Sequence, residues 1–306
     1  MNMMLTATSV GVLLLYAIPG WLLAKFKMVS SDVLPAFTKV LLYVCQPCLC
    51  LYTFNNVQFT WALGREMLVF LLMITLVQAV MLGIFYLVFR KKQEEVRYRI
   101  YTTATTFSNC MFFGVPILNS LLPNTDAVVF SNMYFVSMSL LGWTLGCAII
   151  THDMKYISLK KIFFNPSMIT TIIVLPLFIF SVKLPIKLYQ PVELMGKMTT
   201  PLSMLIMGIR LGGMSFKRVF SGKMQYLMIA LNQFIFPLLT LAATQLVWWW
   251  DDYIRQTMFI LSCCPVASMI LNFAELVGEG QEEAANVFLL GTMFSIITMP
   301  LMLLLI

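Results

Sequence analysis

Windows of about twenty residues without a single charge recur along this chain, and that is the length needed to cross a bilayer as a helix. In the first half they are 1–24, 40–64, 67–89, 100–125 and 127–151. The second half supplies 162–182, 224–250, 256–274 and 284–306, with a weaker window at 191–213 interrupted by Glu193, Lys197 and Arg210. With 60% of 306 residues hydrophobic and 11% charged, there is too little polar surface to cover a water-soluble domain of this size. The expected fold class is therefore an all-α integral membrane protein with ten transmembrane helices. The first window has no basic leader and no convincing small-residue cleavage site, so it is read as a retained helix.

Basic residues in short loops are held on the cytoplasmic side of a membrane. If the N-terminus is outside, the inner loops carry Lys25, Lys27, Lys39, Arg90, Lys91, Lys92, Arg97, Arg99, Lys155, Lys160, Lys161, Lys217, Arg218 and Lys223. The outer loops carry only Arg65, Lys183, Lys187, Lys197 and Arg255, and Arg210 stays within a span. Both termini are thus expected outside the cell membrane, and the net charge of +7 is a topology signal. No basic patch interleaved with aromatics points to nucleic acid. The seven cysteines lie in the spans, and the Cys45/Cys48 pair has no second pair or histidine near it, so they read as small packing residues and no metal site or cofactor is expected. His152, the one histidine, sits in a basic loop, and no phosphate-binding glycine loop is present, so an enzyme is not expected.

Proline placement reveals an internal repeat. Pro19, Pro47 and Pro116 of the first half are followed by Pro176, Pro201 and Pro265 at offsets of 157, 154 and 149 residues. A boundary between 161 and 162 gives two five-helix halves, 1–161 and 162–306. An odd number of spans sends the second half in from the opposite face, the inverted repeat of secondary transporters. Spans 4 and 9 hold matched prolines among polar residues: Ser108, Asn109, Gly114 and Pro116 in one, and Pro265, Ser268 and Asn272 in the other. Proline frees backbone groups that hydrocarbon cannot satisfy, so both spans are expected to break, at Gly114–Val115–Pro116 and at Pro265–Val266–Ala267, and to cross near the midplane. The half-helix N-termini opening there would aim N–H groups at an anion.

Further polar residues at membrane depth are Gln46, Gln78, Ser131 and Asn132, each of which interhelical hydrogen bonding also explains. Arg210 is the one cation inside a span, suited to a carboxylate, although snorkelling is the alternative for it. Glu66 and Glu275 stand at span ends and are the candidates for proton coupling, with solvated helix-end charge as the alternative.

The runs SNCMFFGVPIL, CPVASMILNFAELVG and GTMFSIITMPLMLLLI resemble the auxin efflux carrier family in its broad sense, including bacterial members, over essentially the whole chain. The resemblance implies a carrier of weak organic acids, with helices 1, 2, 6 and 7 as a scaffold and helices 3–5 and 8–10 as a mobile transport domain of elevator type. It places Asn109 at the family's asparagine beside the crossover. A related family with a similar fold, the bile acid:sodium symporters, uses a helix 9 carboxylate that 262–269 lacks here. The short 151–166 connector favours a bacterial-type member, whose substrates are dicarboxylates such as malate or malonate. The expected partners are then a small organic acid anion, the lipid bilayer and a second copy, as a homodimer through the scaffold helices. A receptor that binds a ligand in the same pocket without moving it is the alternative function.

Overall fold

The computed structural model describes residues 8, 11, 12, 15–123, 125–153, 155, 166–213, 220 and 222–306. Its helices are α1 (Ala17–Lys25), α2 (Leu34–Asn55), α3 (Trp61–Val88), α4 (Val96–Ala104), α5 (Cys110–Leu121), α6 (Ala127–Thr151) and α7 (Pro166–Ile179). They continue with α8 (Ile186–Lys197), α9 (Thr199–Gly213), α10 (Lys223–Thr244), α11 (Asp252–Ser262), α12 (Met269–Val277) and α13 (Gln281–Leu305). Five of these, α2, α3, α6, α10 and α13, are long and apolar enough to cross a membrane unaided. The other expected spans fall on shorter pieces: span 4 on α4 and α5, span 9 on α11 and α12, and span 7 on α9, which α8 precedes through the single turn residue Met198. The starts of spans 1 and 6 lie partly outside the described residues. Large exposed apolar side chains such as Leu68, Leu72, Leu76 and Val80 along α3 form a face fit for lipid.

Three helices meet a proline by widening one turn. In α2, α5 and α10 the turns Leu41–Cys45, Cys110–Gly114 and Leu231–Ile235 each lie just before Pro47, Pro116 and Pro237. The N–H groups of Gln46, Val115 and Phe236 reach back five residues, to Leu41, Cys110 and Leu231. A five-residue turn makes room for the pyrrolidine ring and keeps the helix continuous. Span 4 is accordingly helical through Gly114–Val115–Pro116, where a break is expected from the sequence, and it opens upstream, at Thr105–Asn109. Hydroxyls end α4 there: Thr102 Oγ1 donates to Tyr98 O at 2.8 Å, Thr103 Oγ1 to Ile100 O at 2.9 Å and Thr105 Oγ1 to Thr102 O at 2.7 Å. Side chains of this kind compete for the carbonyls that a further turn would use. The second interruption, between α11 and α12, does contain Pro265.

The helices sort into two packed groups. α1 lies along α9, and α2 packs on α7, α8 and α9; α3, α4, α6 and α10–α13 pack among themselves, with α5 joining them. The α1–α9 contact is backbone to backbone, because a Cβ on Gly208 would come 2.9 Å from Trp21 N and one on Gly212 2.6 Å from Ala24 Cβ. The run Gly208-Ile-Arg-Leu-Gly212 is thus a small-xxx-small seam in which Arg210 stands on a clamped helix.

Candidate functional site

The two interruptions meet. Ser108 and Val266 form an isolated antiparallel bridge, in which Asn109 N–H donates to Pro265 O at 2.7 Å and Ala267 N–H to Phe107 O at 2.8 Å. Ser108, fully buried, adds Oγ to Ser262 O at 3.3 Å. Each break therefore satisfies the other's backbone, as a buried polar backbone requires. This corrects one expectation: the Ala267 N–H is spent on the crossing instead of being aimed at an anion, and Val115 and Pro116 lie within a continuous helix.

Beside this crossing, where α5 meets α2 and α9, lies a cavity of about 70 Å³. Its polar lining is Thr38 of α2, Asn109, Ser203 and Arg210 of α9, and Ser268 and Asn272 at the start of α12. Phe112, Leu41, Met207 and Phe288 close it with apolar walls. Asn109 is 8% exposed, and its side-chain amide makes no hydrogen bond among the described residues, so it is not spent on the freed carbonyls of its own break. Arg210 has no carboxylate within ion-pair distance among the described residues; Glu275, one turn beyond Asn272, is the acid whose charge acts on it. A half-buried guanidinium, two amides and three hydroxyls around a small void can hold a compact anion, since Arg offers a planar fork and amides donate without adding charge.

Of the residues singled out in the sequence, Asn109, Ser268, Asn272 and Arg210 are brought together here. Val115 and Pro116 line a separate, wider cavity of about 520 Å³ with Tyr52, Asn119, Lys197 and Thr200. Pro265, Val266 and Ala267 build the crossing itself, and Gly114 lets α5 lie against α11, its would-be Cβ 2.6 Å from Leu261 Cδ2. Asn132, buried in α6, and Gln46, buried in α2, line neither cavity. Ser131 Oγ donates to Val128 O at 2.5 Å, and Gln78 Oε1 accepts from Ser137 Oγ at 2.7 Å, so both serve helix packing. Glu66 pairs with Arg65 at 2.8 Å at the far end of α3 from the cavity, while Glu275 is exposed on α12. Thr38 and Ser203 escaped the sequence reading; a lone hydroxyl in an apolar helix carries no local sign of which neighbour it faces.

A family model described as membrane transport protein matches the chain twice, over residues 6–158 and 148–303. No curated protein matches it. Two consecutive matches that together cover nearly the whole sequence leave the assignment in no doubt: the chain belongs to the membrane transport protein family, that of the auxin efflux carriers.

Proposed function

We propose that this membrane transporter is a secondary carrier of small organic anions, carboxylates of the size of malate or malonate, bound beside the crossing of the two broken helices. The observation that carries this reading is Arg210: a guanidinium in a membrane-spanning helix, without an ion-pair partner among the described residues, facing a cavity that Asn109 and Ser268 share. An intramembrane cation is costly and is repaid by a counter-charge, which a carboxylate supplies with two parallel hydrogen bonds. A void of about 70 Å³ holds about five waters, at roughly 10–15 Å³ each on this measure, which suits a compact acid better than an indole ring system.

In this reading the ten spans form two inverted five-helix repeats, with both termini outside and the cavity on the cytoplasmic side of the crossing in the cell membrane. The group of α1, α2, α7, α8 and α9 is the scaffold, and the other group slides along it as an elevator. The two-group packing and the seam that fixes α9 to α1 support that division. Glu275, poised to neutralise Arg210 when no substrate is present, is the favoured site for proton coupling, and Glu66 the lesser one. A homodimer through the scaffold completes the proposal.

The test is purified protein with malate, malonate, lactate and indole-acetate, read by thermal shift and by counterflow in liposomes. A carrier preloaded with one acid accelerates uptake of the labelled acid, whereas a receptor only binds it. Absence of both shift and uptake with every carboxylate overturns the anion reading.

A further inference from the structure

Gln46 is 2% exposed, and neither Nε2 nor Oε1 of its side chain has a hydrogen-bond partner among the described residues. Buried amides are nearly always paired, and an unpaired one pays its full desolvation penalty. A methionine would fill the same space in α2 without that cost.

Its position gives the amide a use. The face of α2 that carries Leu42 borders the small cavity beside Arg210, and Leu49 on the same face borders the wider cavity toward the other end of the helix. Gln46 lies between them, four residues after Leu42 and three before Leu49, which is one turn from each. Opposite, α5 passes from Phe112 on the small cavity to Val115 on the wide one within a single turn. The two cavities are therefore separated by a barrier about one helical turn thick along α5 and about two turns thick along α2, where Gln46 stands midway. Gln46 is a polar side chain on the α2 side of that barrier, unpaired among the described residues.

We propose that Gln46 is the transfer residue of this barrier: when the two helix groups shift and the cavities join, its amide donates to the carboxylate as the anion leaves Arg210 for the wider cavity. An amide suits the task because it stabilises an anion in transit without trapping it as a cation would. The inference rests on the carboxylate reading above.

Gln46→Met keeps volume and removes the donor. In liposomes preloaded with malate, counterflow by Gln46→Met is expected to fall about tenfold or more, the loss of one hydrogen bond to a charged group. The malate affinity of the detergent-solubilised protein should stay within about twofold, because the bound anion rests one turn away. The melting temperature should hold or rise. A merely structural glutamine would give wild-type counterflow, and a residue of the binding site would lose affinity in step with rate; either result overturns the assignment. Gln46→Asn retains the amide one methylene short, and if the methionine variant does not fold, an unchanged counterflow rate in the asparagine variant overturns it equally. Wild-type protein and Arg210→Gln run alongside separate the two ideas. If wild type neither binds nor moves malate, malonate or lactate, the carboxylate reading fails and this inference with it. If wild type transports and Gln46→Met does as well, only the transfer role fails.

Discussion

Lys197 and Arg210 each stand in the last turn of consecutive helices, α8 and α9, and each lines a cavity, yet their charges are in different states. Lys197 Nζ is 2.7 Å from Glu193 Oε1 and lies over the Tyr52 ring at 5.6 Å, with its side chain 60% exposed. Arg210, on a helix clamped by Gly208 and Gly212 against α1, has no such partner among the described residues. The wide cavity thus has a cation already neutralised and wetted, and the small one a cation in need of an anion. What marks a binding site in a membrane is the unspent charge, and the mere presence of a basic residue does not.

The comparison breaks most visibly at Arg210. Removing one member of a desolvated, hydrogen-bonded charge pair costs about 2 to 5 kcal/mol, so Arg210→Gln should weaken carboxylate binding by about thirtyfold to several thousandfold. Arg210→Lys should recover only part of it, because an ammonium is a point charge and cannot make the bidentate contact. Titration calorimetry with malate on both variants reads this directly; equal affinity in lysine and arginine forms would mean that charge alone matters. The next effect is at Asn109. Asn109→Ala removes one neutral donor to a charged acceptor, about 1.5 to 3 kcal/mol or ten- to a hundredfold in affinity. Since the Asn109 side chain makes no hydrogen bond among the described residues, the variant's melting temperature should match wild type. A large drop in stability with intact affinity would return Asn109 to a structural role.

How far the sequence led can be judged from its two matched prolines. Pro265 does mark an interruption, because the chain there has a partner segment, Phe107–Asn109, whose carbonyl and N–H complete its bonding. Pro116 marks none, because a five-residue turn accommodates the ring, as at Pro47 and Pro237. Hydropathy and charge made the helical, membrane-embedded class legible, since both act over whole segments. The break in span 4 was encoded by the run Thr102-Thr103-Ala104-Thr105-Thr106, a signal of hydroxyls turning back on carbonyls, which is weaker than proline and easily passed over. Arg210 and Asn109 were visible as polar residues at depth. That they share one cavity depends on the depth at which α9 passes α5, and no local pattern records that. The Glu193–Lys197 pairing, by contrast, was present in the four-residue spacing and could have removed Lys197 from consideration at once.

The smallest expected effect is the sharpest check on the comparison. Lys197→Gln removes an exposed cation whose partner is one turn away on the same helix, an arrangement that contributes little in high dielectric. Malate affinity should change by no more than about twofold, and turnover likewise, because the charge is already compensated by Glu193 before any substrate arrives. What difference there is should vanish in high salt, since the Debye length falls from about 10 Å at 0.1 M to about 3 Å at 1 M and the exposed pair is screened. Arg210, half-buried in its cavity, is screened far less, so the deficit of Arg210→Gln should persist at both salt concentrations. The two variants assayed side by side at 0.1 and 1 M NaCl, concentrations at which screening separates about 10 from 3 Å, therefore make one experiment. If Lys197→Gln lost as much affinity as Arg210→Gln, or if salt erased the Arg210→Gln deficit, the anion would have to be placed in the wide cavity, and the distinction between a spent and an unspent cation would fall.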